Sequence, residues 1–285
     1  HCGGYHQQQL RGTCKGIVMQ SPIINVMTAA ALKASKGLLR DFGEVDNLQV
    51  SRKGANAFVT KADIRTEKLL HQELSAARPD FGFLMEEGGE IQGKDGVHRF
   101  IIDPLDGTSN FIHAVPYFCI SIALEKREKS GHSNIIAGVI YDPIHNEMFT
   151  AEHNKGAFLG NRRLVVSGRD KMADAMFACS GTKTLKKLTP IEQQTYSNLA
   201  TGEQTIRRLG ATALDLAYIA AGRLDGGFYT SIESWDIAAG MLMVQEASGK
   251  VMDLSGNPAN CYSRTLVACN GNLARSVESL VAKAA

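Results

Sequence analysis

The chain has 285 residues, of which 44% are hydrophobic, enough to bury the core of one large domain or of two closely joined halves. Its 31 Lys and Arg residues nearly balance its 29 Asp and Glu residues, and the formal net charge of +2 argues against a dedicated nucleic-acid or membrane surface. Its 6 cysteines are scattered and form no CxxC pair, which argues against a zinc ribbon or a disulfide framework and favours reduced thiols in a cytoplasmic protein.

Residues 1–18, HCGGYHQQQLRGTCKGIV, show no apolar periodicity and mix His, Gly, Gln and Cys in a way that is typical of vector-derived sequence. We expect natural translation to begin at Met19 or Met27, and a single domain to occupy residues 19–285. No secretory signal is recognisable, and no apolar run reaches the roughly 18 residues that a membrane-spanning helix needs. No membrane association is expected.

The first half of the chain, about residues 22–166, predicts two helices followed by an antiparallel sheet. Apolar residues recur at helical spacing over 23–42 and 62–77, and a Gly- and Asn-containing stretch at 52–57 predicts a loop between the helices. Apolar runs bounded by turn residues predict strands at 81–85, 100–102, 117–124, 135–141 and 148–151. A hairpin with a two-residue loop at Gly160-Asn161 is expected to lead into a strand at 164–166.

Strands and helices alternate in the second half, about residues 167–285. The predicted strands lie at 177–179, 205–209, 225–229, 250–253 and 266–269. The predicted helices lie at 189–200, 212–221 and 235–247, with a last helix running to residue 285. This order of elements favours a layered α+β or α/β sandwich.

The stretch RFIIDPLDGTSNF, residues 99–111, carries the densest chemistry of the chain. Its apolar run brings Asp103 to a strand end, and Pro104 is expected to stop the strand because it has no backbone donor and a fixed φ. Asp106 follows three residues later, and the next three residues supply a glycine and two hydroxyls. Two carboxylates that converge at a strand tip beside hydroxyls predict metal and phosphate chemistry.

Six carboxylates lie at element edges beside apolar residues: Asp63, Glu86, Glu87, Asp103, Asp106 and Asp236. Two carboxylates about 4 Å apart repel by roughly 4 kcal/mol at an effective dielectric near 20, so a cluster of them needs a cation or shared protons. Oxygen ligands without thiolate or paired His favour Mg²⁺ over Zn²⁺. Each carboxylate alone also fits a structural role as a turn former, a solvated loop charge or a favourable charge at a helix N-terminus.

Taken together, these motifs resemble those of the inositol monophosphatase family, and more closely its bacterial extragenic-suppressor branch. The motifs occur in the family's order and approximate spacing: FVTKAD at 58–63, EE at 86–87, DPLDGTSNFIH at 103–113 and WDIAAGMLMVQEASG at 235–249. The resemblance extends from about residue 22 to the end of the chain. It implies alternating α-β-α-β-α layers, a Mg²⁺-dependent and lithium-sensitive phosphomonoesterase, and a homodimer.

The resemblance also implies roles for individual residues, with two or three Mg²⁺ ions in the site. The implied metal ligands are Glu86, Asp103, the backbone carbonyl of Leu105, Asp106 and Asp236. Asp63 and Thr108 would orient the attacking water, whose pKa Glu86 and a metal ion would lower. The implied phosphate contacts are Gly107, Thr108 and Ser109, and the implied substrate contacts continue at Gly210, Ala211 and Thr212.

Two positions depart from the family pattern. Ala57 replaces an acidic residue before FVTKAD, a change that bears on a third, weakly held metal. Tyr229 occupies the position, seven residues before Asp236, where the family usually carries a glutamate that grips inositol hydroxyls. Because Tyr offers no charged acceptor, Tyr229 leaves the identity of the substrate alcohol open.

The leading functional prediction is a Mg²⁺-dependent phosphomonoesterase acting on inositol 1-phosphate or a related small polyol phosphate. The same chemistry on a nucleotide bisphosphate, fructose bisphosphate or histidinol phosphate is an alternative. A second alternative is a binding partner of RNA polymerase or an elongation factor in which phosphatase activity is incidental. The small basic cluster at Arg207-Arg208 gives this last alternative no positive support in the form of a nucleic-acid surface.

Overall fold

A computed structural model describes residues 20–48, 52–128, 133–180 and 186–281. The expected vector-derived segment 1–18 lies outside the described residues, as does the end of the last predicted helix at 282–285. Among the described helices, none combines the length and the apolar character needed to cross a membrane.

The first half of the chain forms two long helices and an eight-stranded sheet. Helices α1 (Pro22–Leu48) and α2 (Arg52–Ala77) run antiparallel, since Lys33 pairs with Glu73 and Asp41 pairs with Arg65. The strands are β1 (Gly82–Met85), β2 (Gly89–Ile91), β3 (His98–Asp106), β4 (Cys119–Arg127), β5 (Ser133–Asp142), β6 (Glu147–Glu152), β7 (Gly156–Leu159) and β8 (Arg162–Arg163). They lie in the order β2-β1-β3-β4-β5-β6-β7-β8, and the short helix α3 (Thr108–Ile112) follows β3.

The second half forms a five-stranded sheet with helices on both faces. Its strands are β9 (Met176–Cys179), β10 (Thr205–Arg207), β11 (Gly226–Thr230), β12 (Lys250–Met252) and β13 (Thr265–Cys269), in the order β10-β9-β11-β13-β12. The helices are α4 (Pro190–Ala200), α5 (Thr212–Ala220), α6 (Ser234–Glu246) and α7 (Ala274–Leu280). Strands β10, β9 and β11 are parallel, whereas β13 runs antiparallel to both of its neighbours.

Three hydrophobic cores separate five layers. One core lies between α1, α2 and the large sheet, the second places α5 and α6 between the two sheets, and the third lies between the small sheet and α4 and α7. Strand β3 shows why both faces of the large sheet are covered: Phe100 and Ile102 enter the first core, and Ile101 between them enters the second. The predicted α-β-α-β-α sandwich is confirmed.

Two local predictions are wrong. Residues 52–57 are the first turns of α2 and not a loop, because the cost of about 1 kcal/mol for Gly54 in a helix interior is small beside the packing of a helix of this length. Strand β3 also does not stop at Pro104. Asp103 pairs with Ser121 and Asp106 with Cys119, so the strand carries one extra residue, and this bulge places Pro104 where no backbone donor is needed.

Three further differences are smaller. Strand β1 is parallel to β3, so the first sheet is not wholly antiparallel. The Gly160-Asn161 turn is confirmed, but its second strand is β8 and not 164–166, since Phe158 pairs with Arg163. The sequence also gave no prediction of β2 or α3, both of which are too short for a periodic pattern to be visible.

Candidate metal and phosphate site

Three aspartates from distant parts of the sequence meet at one point. Oxygen atoms of Asp103, Asp106 and Asp236 all lie within 4.8 Å of one another. The first two end strand β3, and Asp236 lies in the first turn of α6, which packs between the sheets. Such a cluster of oxygen ligands matches the preference of a hard divalent cation.

The bulge in β3 shapes the surroundings of Asp103. The side chain is 2% exposed, and its Oδ1 atom accepts a hydrogen bond from the Leu105 N–H at 2.9 Å. Glu86, the residue that follows β1, lies near Asp103, and its charge contributes to the raised pKa of Asp103. Two neighbouring carboxylates repel each other unless they share a proton or bind a cation.

Backbone N–H groups at two helix N-termini hold the other two aspartates. The Ala213 N–H, in the first turn of α5, donates to Oδ2 of Asp106 at 2.6 Å. The Glu233 N–H donates to Oδ2 of Asp236 at 2.8 Å, where Asp236 also benefits from the positive end of the α6 dipole. These contacts fix the direction of both carboxylates and leave oxygen atoms free for a ligand.

Burial and mutual repulsion raise the pKa values of the whole cluster. The pKa of Asp103 and that of Asp106 lie well above the usual range because both side chains are buried and face other carboxylates. Burial, followed by the charge of Asp236, raises the pKa of Glu86 to about 7. Burial raises the pKa of Asp236 to about 6. A bound divalent cation would remove the need for these protons, so the donor set fits a metal.

Asp63, on α2, adds a fifth carboxylate to Glu86, Asp103, Asp106 and Asp236, and these five residues are called the acidic wall below. Asp63 is 3% exposed, and its Oδ1 atom has no hydrogen-bond partner in the described part of the chain. Burial, and then the charges of Glu86, Glu87 and Glu67, raise its pKa from 3.8 to about 8. A buried carboxylate oxygen without a donor is costly, and a water or cation in the site would satisfy it.

The residues predicted to contact phosphate begin helix α3. Gly107 has φ of 94°, and a Cβ atom there would lie 2.9 Å from the Tyr117 carbonyl oxygen, so this position requires glycine. The Thr108 hydroxyl donates to the Leu105 carbonyl oxygen at 3.0 Å, which links two predicted site residues directly. Ser109 is exposed.

The residues predicted to contact the rest of the substrate divide into two groups. The Asn110 side chain donates to the Leu209 carbonyl oxygen at 2.8 Å, which ties the segment with Gly210 and Ala211 to α3, and Thr212 then begins α5. Ala211 is buried and Thr212 is partly exposed.

Tyr229 forms the second group and lies inside the core with 0% exposure. Its phenol lies over Gly227, where an added Cβ would meet the Tyr229 hydroxyl at 2.3 Å. Contact between Tyr229 and a substrate therefore stays a prediction.

Sequence reasoning missed several groups that support the site. Glu67 lies one helical turn after Asp63, and this spacing on the face of α2 was the signal available in the sequence. Asp215 is a lone acid in the apolar helix α5, where a charged residue needs a partner. The donors from Ala213 and Asn110 could not be inferred, because one is a backbone group and the other depends on tertiary packing.

Comparisons with known proteins agree along nearly the whole chain. A sequence model described as the inositol monophosphatase family matches residues 19–285. Over 264 residues the chain is 45% identical to "Inositol-1-monophosphatase" of Mesorhizobium japonicum, covering 93% of this chain and 97% of that protein. It is also 36% identical over 257 residues to "Nus factor SuhB" of Pasteurella multocida, covering 90% of this chain and 94% of that protein.

Solved structures show the same fold. The native crystal structure of the extragenic suppressor protein suhB from Bartonella henselae shares 45% sequence identity and gives a TM-score of 0.79. The match covers 92% of this chain and 98% of that chain.

Proposed function

The chain belongs to the inositol monophosphatase family and is a phosphoric monoester hydrolase, and we propose that it hydrolyses inositol 1-phosphate or a related small polyol phosphate with Mg²⁺ as its metal. The observation that carries this proposal is the convergence of Asp103, Asp106 and Asp236 within 4.8 Å, beside a buried Asp63 oxygen that has no donor among the described residues. The family is metal-dependent, and the oxygen-only donor set favours Mg²⁺ among the common divalent ions.

The ligands of two or three ions would be the Leu105 carbonyl and four carboxylates of the acidic wall: Glu86, Asp103, Asp106 and Asp236. Bound Mg²⁺ supplies a water of lowered pKa and neutralises the charge of the phosphate. The backbone donors at Leu105, Ala213 and Glu233 keep three of these carboxylates in fixed directions. Such outer contacts are worth about 10- to 100-fold in metal affinity.

Asp63 and Thr108 would position the water that attacks phosphorus. The Oδ1 atom of Asp63, which has no donor among the described residues, can accept a hydrogen bond from that water, and the Thr108 hydroxyl is held in place by the Leu105 carbonyl. Because the phosphate itself needs no covalent attachment to the protein, catalysis here consists of positioning and of electrostatic stabilisation of an in-line displacement.

A substrate panel tests the proposal. We expect phosphate release from inositol 1-phosphate in Mg²⁺ to exceed that from fructose bisphosphate, a nucleotide bisphosphate and histidinol phosphate, and EDTA to abolish it. The relatives named inositol-1-monophosphatase support this order. A faster rate on a bisphosphate would support the proposed phosphatase chemistry but would contradict the proposed substrate. No release from any of the four would contradict the proposed function.

A second candidate function is a contact with the transcription machinery. Relatives at 35–38% identity carry the name Nus factor SuhB. Pull-down of RNA polymerase by the wild-type protein and by a variant with a disabled metal site would show a separable binding role if both capture it equally. The expected homodimer can be measured on the same material by sedimentation.

A further inference from the structure

Glu67 is a buried carboxylate that the proposed mechanism does not use. It lies on α2 four residues after Asp63, and it is 6% exposed. Residues four apart on a helix share one face, so Glu67 and Asp63 project toward the same side of α2. An acid so deeply buried in a cluster that is already acidic needs a positive reason for its position.

That reason is the turn that follows β1. Oε2 of Glu67 accepts a hydrogen bond from the Glu87 N–H at 2.8 Å. Burial raises the pKa of Glu67, and the backbone N–H groups of Glu87 and Gly88 oppose the rise, so both of them stabilise the charged carboxylate. Oε1 lies 2.9 Å from where a Cβ atom on Gly88 would be, so the carboxylate occupies space that any larger residue would fill.

The Glu87 amide that Glu67 holds comes directly after Glu86. On its other side, the Glu86 N–H donates to the Ile102 carbonyl oxygen of β3 at 3.3 Å. The backbone around Glu86 is thus held by the sheet before the turn and by α2 after it. Without Glu67, the Glu87 N–H would lose its acceptor and the turn would be held from the sheet alone.

We propose that Glu67 is a positioning residue that fixes Glu86 in the metal site. Because Glu67 and Asp63 lie on the same helix, this contact also fixes the position of Glu86 relative to Asp63. This inference rests on the proposed function, because it takes Glu86 as a metal ligand. A carboxylate could also act through its charge alone, by attracting a cation. A neutral hydrogen-bond acceptor in place of Glu67 would preserve the positioning role, but it would not preserve an effect of the charge.

The experiment measures Mn²⁺ binding by electron paramagnetic resonance with no substrate present. We expect Glu67→Ala to weaken Mn²⁺ binding about 10-fold, the scale of losing an outer contact to a metal ligand, and Glu67→Gln to retain most of the affinity because its amide oxygen still accepts from the Glu87 N–H. Glu73→Ala is the matched control, since Glu73 lies on the same helix and pairs with Lys33 at the surface. It should bind as the wild type does.

Circular dichroism of each metal-free variant checks that it is folded. If Glu67→Ala does not fold, Gly88→Ala replaces it, because the added Cβ would crowd both the Glu67 carboxylate and the Met85 methyl group while leaving the charge of Glu67 in place. That variant should also weaken Mn²⁺ binding.

Wild-type affinity in folded Glu67→Ala, or an equal loss in Glu67→Gln and Glu67→Ala, would overturn the positioning role while the wild type still binds Mn²⁺ and releases phosphate. A wild type that binds no Mn²⁺ would instead overturn the proposed function, and the inference with it.

Discussion

The two ends of strand β3 both bury carboxylates, but the chain supplies them with different partners. At the first end, Glu125 is 0% exposed, and it receives Arg99, Arg127 and the hydroxyl of Tyr262. Burial alone would raise the pKa of Glu125, yet these donors and charges hold it below the usual range. The group is therefore ionised and satisfied entirely from within the protein.

At the other end, Asp103 and Asp106 are buried to a similar extent, but they face other carboxylates where Glu125 faces cations. None of the ion pairs in the described part of the chain involves either aspartate, nor Asp63, Glu86 or Asp236. Their pKa values are raised, where that of Glu125 is lowered. Burial by itself therefore does not mark a functional carboxylate. A cluster of buried carboxylates that has no ion-pair partner among the described residues distinguishes the Asp103 end.

The largest effect is expected from a substitution at the Asp103 end of β3. Asp103→Asn keeps the side-chain shape and one oxygen but removes the central charge of the cluster. We expect phosphate release to fall by at least ~1,000-fold, the scale of losing a principal electrostatic group. The metal-free variant should unfold at the same or a higher urea concentration than the wild type, because the substitution relieves repulsion. Full turnover by Asp103→Asn would remove the basis of the comparison.

The reverse result is expected at the end that has cations. Glu125→Ala removes the buried partner of Arg99 and leaves it paired only with the exposed Glu90, and breaking a buried pair costs about 3–5 kcal/mol. Urea denaturation should show this loss, whereas kcat per folded molecule should stay near the wild-type value. A variant of unchanged stability with lost activity would show that the two ends do not divide structure from function.

Much of the carboxylate cluster around Asp103 could be predicted from sequence, because DPLDGTSN and WDIAAG are long local motifs whose acids adjoin element boundaries. The sandwich followed from the change between an antiparallel pattern and an alternating one. Those signals are local, and they survive without knowledge of the tertiary structure.

The rest could not be predicted because it depends on long-range packing. The contact of Tyr262 with Glu125 joins residues 137 positions apart, and nothing near either residue indicates it. The bulge that lets Pro104 stay within β3 depends on how β4 pairs with it. The spacing of Glu67 from Asp63 indicates only a shared face of α2, and the acceptor role of Glu67 toward a backbone amide carries no sequence signature.

The pH dependence of the metal-free protein should have opposite sign at the two ends. The pKa of Asp63 rises from 3.8 to about 8 on folding, so between these values the folded state binds more protons than the unfolded state. Stability is then present in full at low pH and is lost as pH rises toward 8, by at most ~1.4 kcal/mol per pH unit for one group. The lowered pKa of Glu125 acts in the other direction, with stability lost only as pH falls through it.

Urea denaturation in EDTA at pH 5 and pH 8 measures this difference. The wild type should be less stable at pH 8, and Mg²⁺ should restore much of the loss. Asp63→Asn should flatten the dependence. A metal-free protein that gains stability between pH 5 and pH 8 would show that the acidic wall is compensated by groups other than a bound ion.

The smallest expected effect concerns a carboxylate between the two extremes. Asp215 is buried, and its partners are neutral: the Tyr117 hydroxyl donates to it at 2.7 Å. Burial raises the pKa of Asp215 to about 7, while the hydrogen bond from the Tyr117 hydroxyl opposes the rise. A neutral donor therefore stabilises the ionised form of Asp215 less than Arg99 stabilises that of Glu125. The ionised form of Asp63, which faces other carboxylates, is stabilised least.

Tyr117→Phe removes that donor and keeps the ring. We expect a loss of about 1–3 kcal/mol in the free energy of unfolding, the usual cost of an unsatisfied buried acceptor. The loss should be larger at pH 8 than at pH 5, because a protonated Asp215 no longer needs the donor. Equal losses at both pH values would show that Asp215 is ionised at pH 5, as Glu125 is. The pKa of a buried carboxylate would then not follow the charge of its partners.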